Sequence, residues 1–317
     1  MQTLRHVSPD GTTLAVYRWD PEGAPRAVVH VSHGMAEHAR RYARFAKALN
    51  ARGFVVYAHD HRGHGDSLVP ASSGGSHAPL GHAPLGHMGH DDTFERAVED
   101  LHRLLRDERA RHVGLPVALL AHSMGSFFAQ RLVSAYPSDL DALILSGSNG
   151  PPPAIAAAGR AVARLERKRL GPTKASALLQ KLSFGDFNKP FEKRTEFDWL
   201  SRDPAEVDAY VNDPLCGFGI STQSWVDLLD ALGGLTKYDA LTHVAKALPI
   251  YVVSGDRDPV GGNGAGPKKL VDLYRAVGVT DVTLDLLPGA RHEVLNETNR
   301  DETTAKLIVW LESKLGI

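Results

Sequence analysis

A single cysteine, Cys216, in 317 residues excludes any internal disulfide and suits a reducing compartment. Its thiol is expected to pack as a small hydrophobe. Excess charge of one sign is also missing. The 36 basic and 37 acidic residues leave a formal net charge of −1, so nucleic acid is not expected as the main partner. No apolar run approaches the roughly 20 residues of a membrane span. Residues 1–6 carry no apolar signal core, and the expectation is a cytoplasmic protein. Oligomeric state leaves no mark in the sequence.

What the chain does contain is an alternation of apolar strand-length runs and amphipathic helices. Residues 27–31, 54–58, 117–121, 142–145, 248–255 and 282–287 read as strands. Helical periodicity covers 40–52, 91–111, 126–136 and 296–314. Residues 4–7 and 12–19 suggest an early hairpin. Continuous apolar strands between helices predict an α/β fold, a mostly parallel sheet covered on both faces. The alternation stops at Gly150-Pro151-Pro152-Pro153, and residues 150–235 are mostly helical. An all-helical excursion between sheet strands is best read as a cap over the strand C-termini, where ligands of open α/β sheets bind. The expected division is a core of residues 1–149 and 236–317, with 150–235 as the cap.

The sharpest local signal is Pro116 to Ser126, where an apolar strand meets a small-residue turn with Ser123 at its apex. A serine hydroxyl needs a histidine to take its proton, and a strand–turn–helix elbow presents it at a sheet edge. Ala121 stands where the G-x-S-x-G pattern has its first glycine. A serine in such a place can also be a plain helix cap, so the partners decide. Two further loops follow strands in the order this hydrolase type requires, Ser, then acid, then His. Residues 248–255 lead into Asp256 and Asp258, and residues 282–287 lead into His292. Asp256 is the expected acid because it directly follows the strand and Gly255. Asp258 precedes Pro259, which suits a turn support. His33-Gly34-Met35 follows an early strand, so the backbone amides of Met35 and Met124 are the expected oxyanion donors, each worth roughly 3–4 kcal/mol in the transition state.

Other features have blander readings. His77 to Gly81 is repeated as His82 to Gly86, followed by His87-Met88-Gly89. This reads as a flexible surface loop, because the spacing matches no tight metal site. Residues 154–170 read as a cap helix with Ile155, Ala158, Val162 and Leu165 at helical spacing. Arg160, Arg164, Arg167, Lys168 and Arg169 stand there against only Glu166. Such a helix either packs on the sheet domain with a solvated basic face or rests on anionic lipid.

His33 to His38 with Tyr42, Asp60 to Ser67, Ala121 to Ser126, Ser254-Gly255-Asp256 and Ala290-Arg291-His292 resemble the monoacylglycerol lipase and lysophospholipase branch of the α/β-hydrolase fold. The likeness extends over nearly the whole chain. The stretch from Asn188 to Phe218 looks like the bacterial members. The resemblance implies a catalytic set of Ser123, Asp256 and His292, with His33, Gly34, Glu37, His122 and Trp199 near the substrate. It implies a serine carboxylester hydrolase acting on a lipid-like ester, with no cofactor and no metal. A different acyl substrate on the same residues, an amide or thioester, is the alternative. A binding module without turnover is a third reading, which an intact Ser, Asp and His set disfavours. Ser123 excludes an aspartate-nucleophile reaction.

Overall fold

The computed structural model describes residues 1–70, 82–152 and 156–317. The chain opens with β1 (Gln2–Val7), β2 (Thr13–Trp19), β3 (Ala27–Ser32), α1 (Ala43–Asn50) and β4 (Phe54–His59). After α2 (Thr93–Arg111) come β5 (Val117–His122), α3 (Met124–Ala135) and β6 (Ala142–Ser146). A helical insertion follows: α4 (Ala156–Leu170), α5 (Ala177–Phe184), α6 (Pro204–Asn212), α7 (Thr222–Leu235) and α8 (Tyr238–Thr242). The chain then returns to β7 (Ile250–Gly255), α9 (Ala265–Ala276), β8 (Val282–Leu287) and α10 (Arg300–Leu315).

The strands form one eight-stranded sheet in the order β1-β2-β4-β3-β5-β6-β7-β8. β2 runs antiparallel to both neighbours, and all other pairs are parallel. Alternate residues feed two cores. Val28, Leu119, Leu143 and Val252 pack on one face; Val29, Leu120, Ile144 and Val253 pack on the other. Parallel strands buried on both faces need apolar residues at every position, which is why these runs were visible in the sequence. Register decides where the site lies. Ser32 sits opposite Ala121, His122 opposite Ser146, and Gly255 opposite Leu287. The loops leaving β3, β5, β6, β7 and β8 therefore emerge along one edge.

Local chemistry fixes the insertion. Ser176 caps α5 by accepting from Leu179 N (3.2 Å), and Asp203 caps α6 at Ala205 N (3.0 Å) with Pro204 in its first turn. Ser221 caps α7 at Ser224 N (3.2 Å). A side-chain cap of this kind contributes about 1 kcal/mol.

Two expectations change. In the described part of the histidine-rich segment, His82, Pro84 and Leu85 are exposed as a surface loop would be, but His87 and Met88 are buried. Gly86 accepts from Ser221 N (2.8 Å), and Met88 N donates to Ser224 Oγ (3.1 Å). At Gly86 (φ +84°) a Cβ would run into Gly219 O, so only glycine permits this docking on the start of α7. The first copy of the repeat, from His77 to Gly81, lies outside the described residues. The basic face of α4 is also less free than expected. Arg164 pairs with Asp230 of α7 (2.8 Å), Arg167 donates to Gln223 (2.9 Å), and Arg169 pairs with Glu166 (2.7 Å). Ile155 lies outside the described residues. Among the described residues, no helix is long and apolar enough to cross a membrane.

Candidate active site

Ser123 occupies the turn between β5 and α3 with φ +50° and ψ −117°. A serine with positive φ is strained by roughly 1–3 kcal/mol and persists only where its surroundings impose it. Here Ser123 N donates to Ser146 O (2.9 Å), and Gly125 N donates to His33 O (3.1 Å). A Cβ at Gly125 would collide with Ser32 O, so the turn closes on β3 only with glycine there. Ala121, in contrast, points into the core and is fully buried. That place accepts one methyl group.

His292 sits in the loop between β8 and α10 and is 2 % exposed. Its Nδ1 lies 3.0 Å from Asp258 Oδ2. Asp258 is fully buried, accepts from Ser254 Oγ (3.2 Å) and takes Val260 N (2.9 Å) on its other oxygen. Burial alone would lower the His292 pKa. The charge and hydrogen bond of Asp258, with Glu293 and Glu37 behind them, instead hold it above the ordinary value.

The loop after β3 is tied down from below. Glu37 accepts from Gly34 N (2.5 Å), from Tyr42 OH (3.0 Å) and from Arg41 (2.6 Å). Arg41 also grips Glu293 with both terminal nitrogens (2.7 and 2.8 Å). This buried network joins the loop carrying Met35 to the loop carrying His292. Among the described residues, the amides of Met35 and Met124 donate to no protein acceptor, which leaves two N–H groups free at the serine.

These elements line one cavity of about 490 Å³, within the usual range of ligand pockets. Ser123, Met35, Met124, His122 and His292 form its reactive end, while Phe127, Phe184, Phe187, Trp225, Leu228 and Leu232 supply apolar wall. Much of that wall comes from the insertion. Trp199 stands 5.2 Å from the His292 ring, centroid to centroid. A bent serine, a buried histidine paired to a carboxylate, and two free amides in one cavity can carry out acyl transfer.

The family described as serine aminopeptidase, S33, matches residues 23–299. This chain belongs to that family. It is 33% identical to a monoacylglycerol lipase of Mycolicibacterium smegmatis, over 96% of this chain and 95% of that one. It is 29% identical to a human monoglyceride lipase, over 93% of this chain and 85% of that protein. Among solved structures, a highly thermostable carboxyl esterase from Bacillus coagulans in complex with glycerol superposes with a TM-score of 0.87. That pair shares 27% identity, covering 99% of this chain and 98% of that one. The protein is therefore a serine hydrolase of the α/β-hydrolase fold.

The hydrolase departs from the sequence reading at the acid. Asp256 does not reach His292; its carboxylate accepts from Gly289 N (2.7 Å) and braces the turn after β8. The cause is local. Asp256 N still pairs with Leu287 O (3.1 Å), so residue 256 continues the sheet. Only after the turn closed by Asp258 N on Gly255 O (3.2 Å) does a side chain face His292. His33 also departs from expectation. It is fully buried, with Nδ1 2.7 Å from Gly34 O and Nε2 accepting from His61 N (3.0 Å). Burial, with His61 and His64 beside it, holds its pKa well below the usual value. It shapes the loop and does not line the cavity. Gly34, Glu37, His122 and Trp199 do line it, although the Glu37 carboxylate is spent on the loop. Burial lowers the His122 pKa to about 4, helped by the charge of His292.

Two residues had no role assigned from the sequence, although Arg291 stands in the Ala290-Arg291-His292 motif. Gly147, just past β6, has φ +56°, and a Cβ there would meet His292 Cε1 at 2.9 Å and His122 Cε1 at 3.0 Å. Arg291 reaches Glu192 (2.7 Å) and the carbonyls of Asp198 (2.6 Å) and Ser201 (3.1 Å), holding the insertion beside His292. Gly147 follows an apolar strand in a Ser-Gly-Ser turn, a signal that could have marked it.

Proposed function

We propose that the protein hydrolyses a lipid-like carboxylic ester, a monoacylglycerol or lysophospholipid, through an acyl-enzyme on Ser123. The observation that carries this reading is the largely apolar cavity of about 490 Å³ with Ser123 and His292 at its reactive end. Residues 150–235 act as its cap. His292 takes the Ser123 proton as the oxygen attacks the ester carbonyl. Asp258 holds the imidazole tautomer and stabilises the imidazolium that forms. The amides of Met35 and Met124 receive the developing oxyanion. His292 then hands its proton to the leaving alcohol, and water repeats the cycle on the acyl-enzyme.

The names of the relatives, monoacylglycerol lipase and monoglyceride lipase, support this substrate class. A peptide reading, which the family's aminopeptidase name suggests, calls for a free carboxylate to meet a substrate ammonium group. Glu37 and Glu293, the carboxylates at the cavity, are both held by Arg41. The test is a hydrolysis panel of monoacylglycerols, lysophospholipids, short soluble esters and amino-acid anilides. The expected result is the highest kcat/KM on a lipid ester. Faster cleavage of the anilides would overturn the reading.

Access to such a substrate runs through contact with a lipid surface. Leu165 of α4 is 65% exposed and Leu178 of α5 is 45% exposed, while three of the α4 arginines are engaged within the protein. The leucines, rather than the arginines, make the contact. Burying one leucine contributes about 1.5–3 kcal/mol, so Leu165→Ser with Leu178→Ser should weaken vesicle binding at least about tenfold. Hydrolysis of a short soluble ester should stay the same. Unchanged sedimentation with vesicles would refute the contact.

A further inference from the structure

We infer that His38, Asp213 and Cys216 form a binding site for zinc, at the joint between the loop carrying Met35 and the helical insertion. A ring nitrogen of His38, a carboxylate oxygen of Asp213 and the Cys216 sulfur all lie within 4.8 Å of one another. Imidazole, carboxylate and thiolate together make a donor set suited to zinc, which binds them at about 2.0–2.3 Å. Tetrahedral coordination at those lengths puts donor atoms about 3.4–3.6 Å apart. The His38–Asp213 pair, now 2.9 Å apart, has to open slightly, and the sulfur, within 4.8 Å of its partners, has to close in by up to about 1.3 Å.

The surroundings favour a cation. Glu37 and Glu293 flank the site, and the one guanidinium between them, Arg41, is bound to both. Counting Asp213, three carboxylates stand against two guanidinium groups, Arg41 near Cys216 and Arg40 near Asp213. Binding replaces the proton of the Cys216 thiol, which leaves to solvent, while His38 binds as neutral imidazole and gives up its hydrogen bond to Asp213. Asp213 is 31% exposed at its side chain and Cys216 is half-buried, so solvent can supply the fourth donor. His38 is 5% exposed, and among the described residues its Nδ1 has no hydrogen-bond partner. The ring is therefore anchored by Asp213 alone, and a metal bond would fix it further.

The position gives the site a consequence. Ala36, two residues before His38, accepts from Gly217 N and Tyr210 OH, both at 2.9 Å. Zinc would add a metal bridge to these two hydrogen bonds and lock the loop to the insertion. No sequence pattern could reveal it, since His38 and Asp213 stand 175 residues apart.

The test uses the full chain, stripped with EDTA and titrated with Co²⁺ as a coloured stand-in for zinc. The expected result is a thiolate-to-cobalt charge-transfer band that saturates at one ion per chain and is displaced by Zn²⁺. Cys216 is the sole cysteine, so the wild-type band by itself assigns the sulfur ligand, even if a variant fails to fold. Cys216→Ser should abolish the band with the circular dichroism unchanged. Asp213→Asn should weaken cobalt binding at least about tenfold, since even supporting residues of metal sites cost that much. Absence of the band at saturating Co²⁺, or full-affinity binding in folded Asp213→Asn, overturns the proposal.

Discussion

Asp256 and Asp258 lie two residues apart in one turn, yet the charge of only one reaches His292. Because Asp258 raises the His292 pKa, it has two measurable consequences. In the proposed mechanism His292 must be neutral to accept the Ser123 proton, so kcat/KM should fall on the acid side with an apparent pKa above the ordinary value of about 6.5. Asp258→Asn should cost on the order of 10⁴ in kcat by leaving the imidazole in the wrong tautomer. Loss of the negative charge should also move the acid limb to lower pH. Asp256→Asn keeps an oxygen for Gly289 N and should cost far less, with the limb in place. Kinetics of both variants across pH decide the matter, and reversed effects would return the role to Asp256. The sequence favoured Asp256 because a residue next to a strand end looked best placed to redirect. The Asp-Pro step that suggested a turn support instead belongs to the turn that aims Asp258, whose Oδ1 takes the Val260 amide.

At the scale of elements, the strand exits hold the reacting groups together. Gly147 is the clearest case, because its missing Cβ is the space that His292 and His122 occupy. Gly147→Ala should push the imidazole aside, and a displacement near 1 Å can cost roughly 10²-fold in kcat. Gly23→Ala makes the control. It has a positive φ of +86° but, among the described residues, nothing within 4 Å of the added methyl, so it should carry the backbone strain without the loss of rate. Equal kcat in the two variants would show that Gly147 does not position His292. The strands, the elbow and the insertion were legible in the sequence, because apolar runs and small-residue turns are local patterns. The buried network of Glu37, Arg41 and Glu293 was not, since Arg41 and Glu293 are 252 residues apart. His33 misled for a related reason. A histidine beside a glycine at a strand exit looks like a site residue, and only the packing of His61 and His64 against it marks it as part of the core.

Over the whole molecule, one sheet edge carries Ser123, Asp258 and His292, and the helices between β6 and β7 line the cavity beside them. Arg291 holds residues 192–201 beside His292, and Trp199 closes the reactive end. A hydrophobic cluster of Trp199, Leu200 and Tyr210, with Phe184, Phe187 and Phe197 against it, lines the cavity. Every part of this arrangement converges on Ser123. The direct test is turnover of a monoacylglycerol by purified wild-type protein and by Ser123→Ala, with folding checked by circular dichroism. The account predicts a folded variant whose kcat is lower by about 10⁶, as for removal of a triad serine elsewhere. A folded variant that retains more than about a hundredth of wild-type kcat, far above that expected residue, would contradict it.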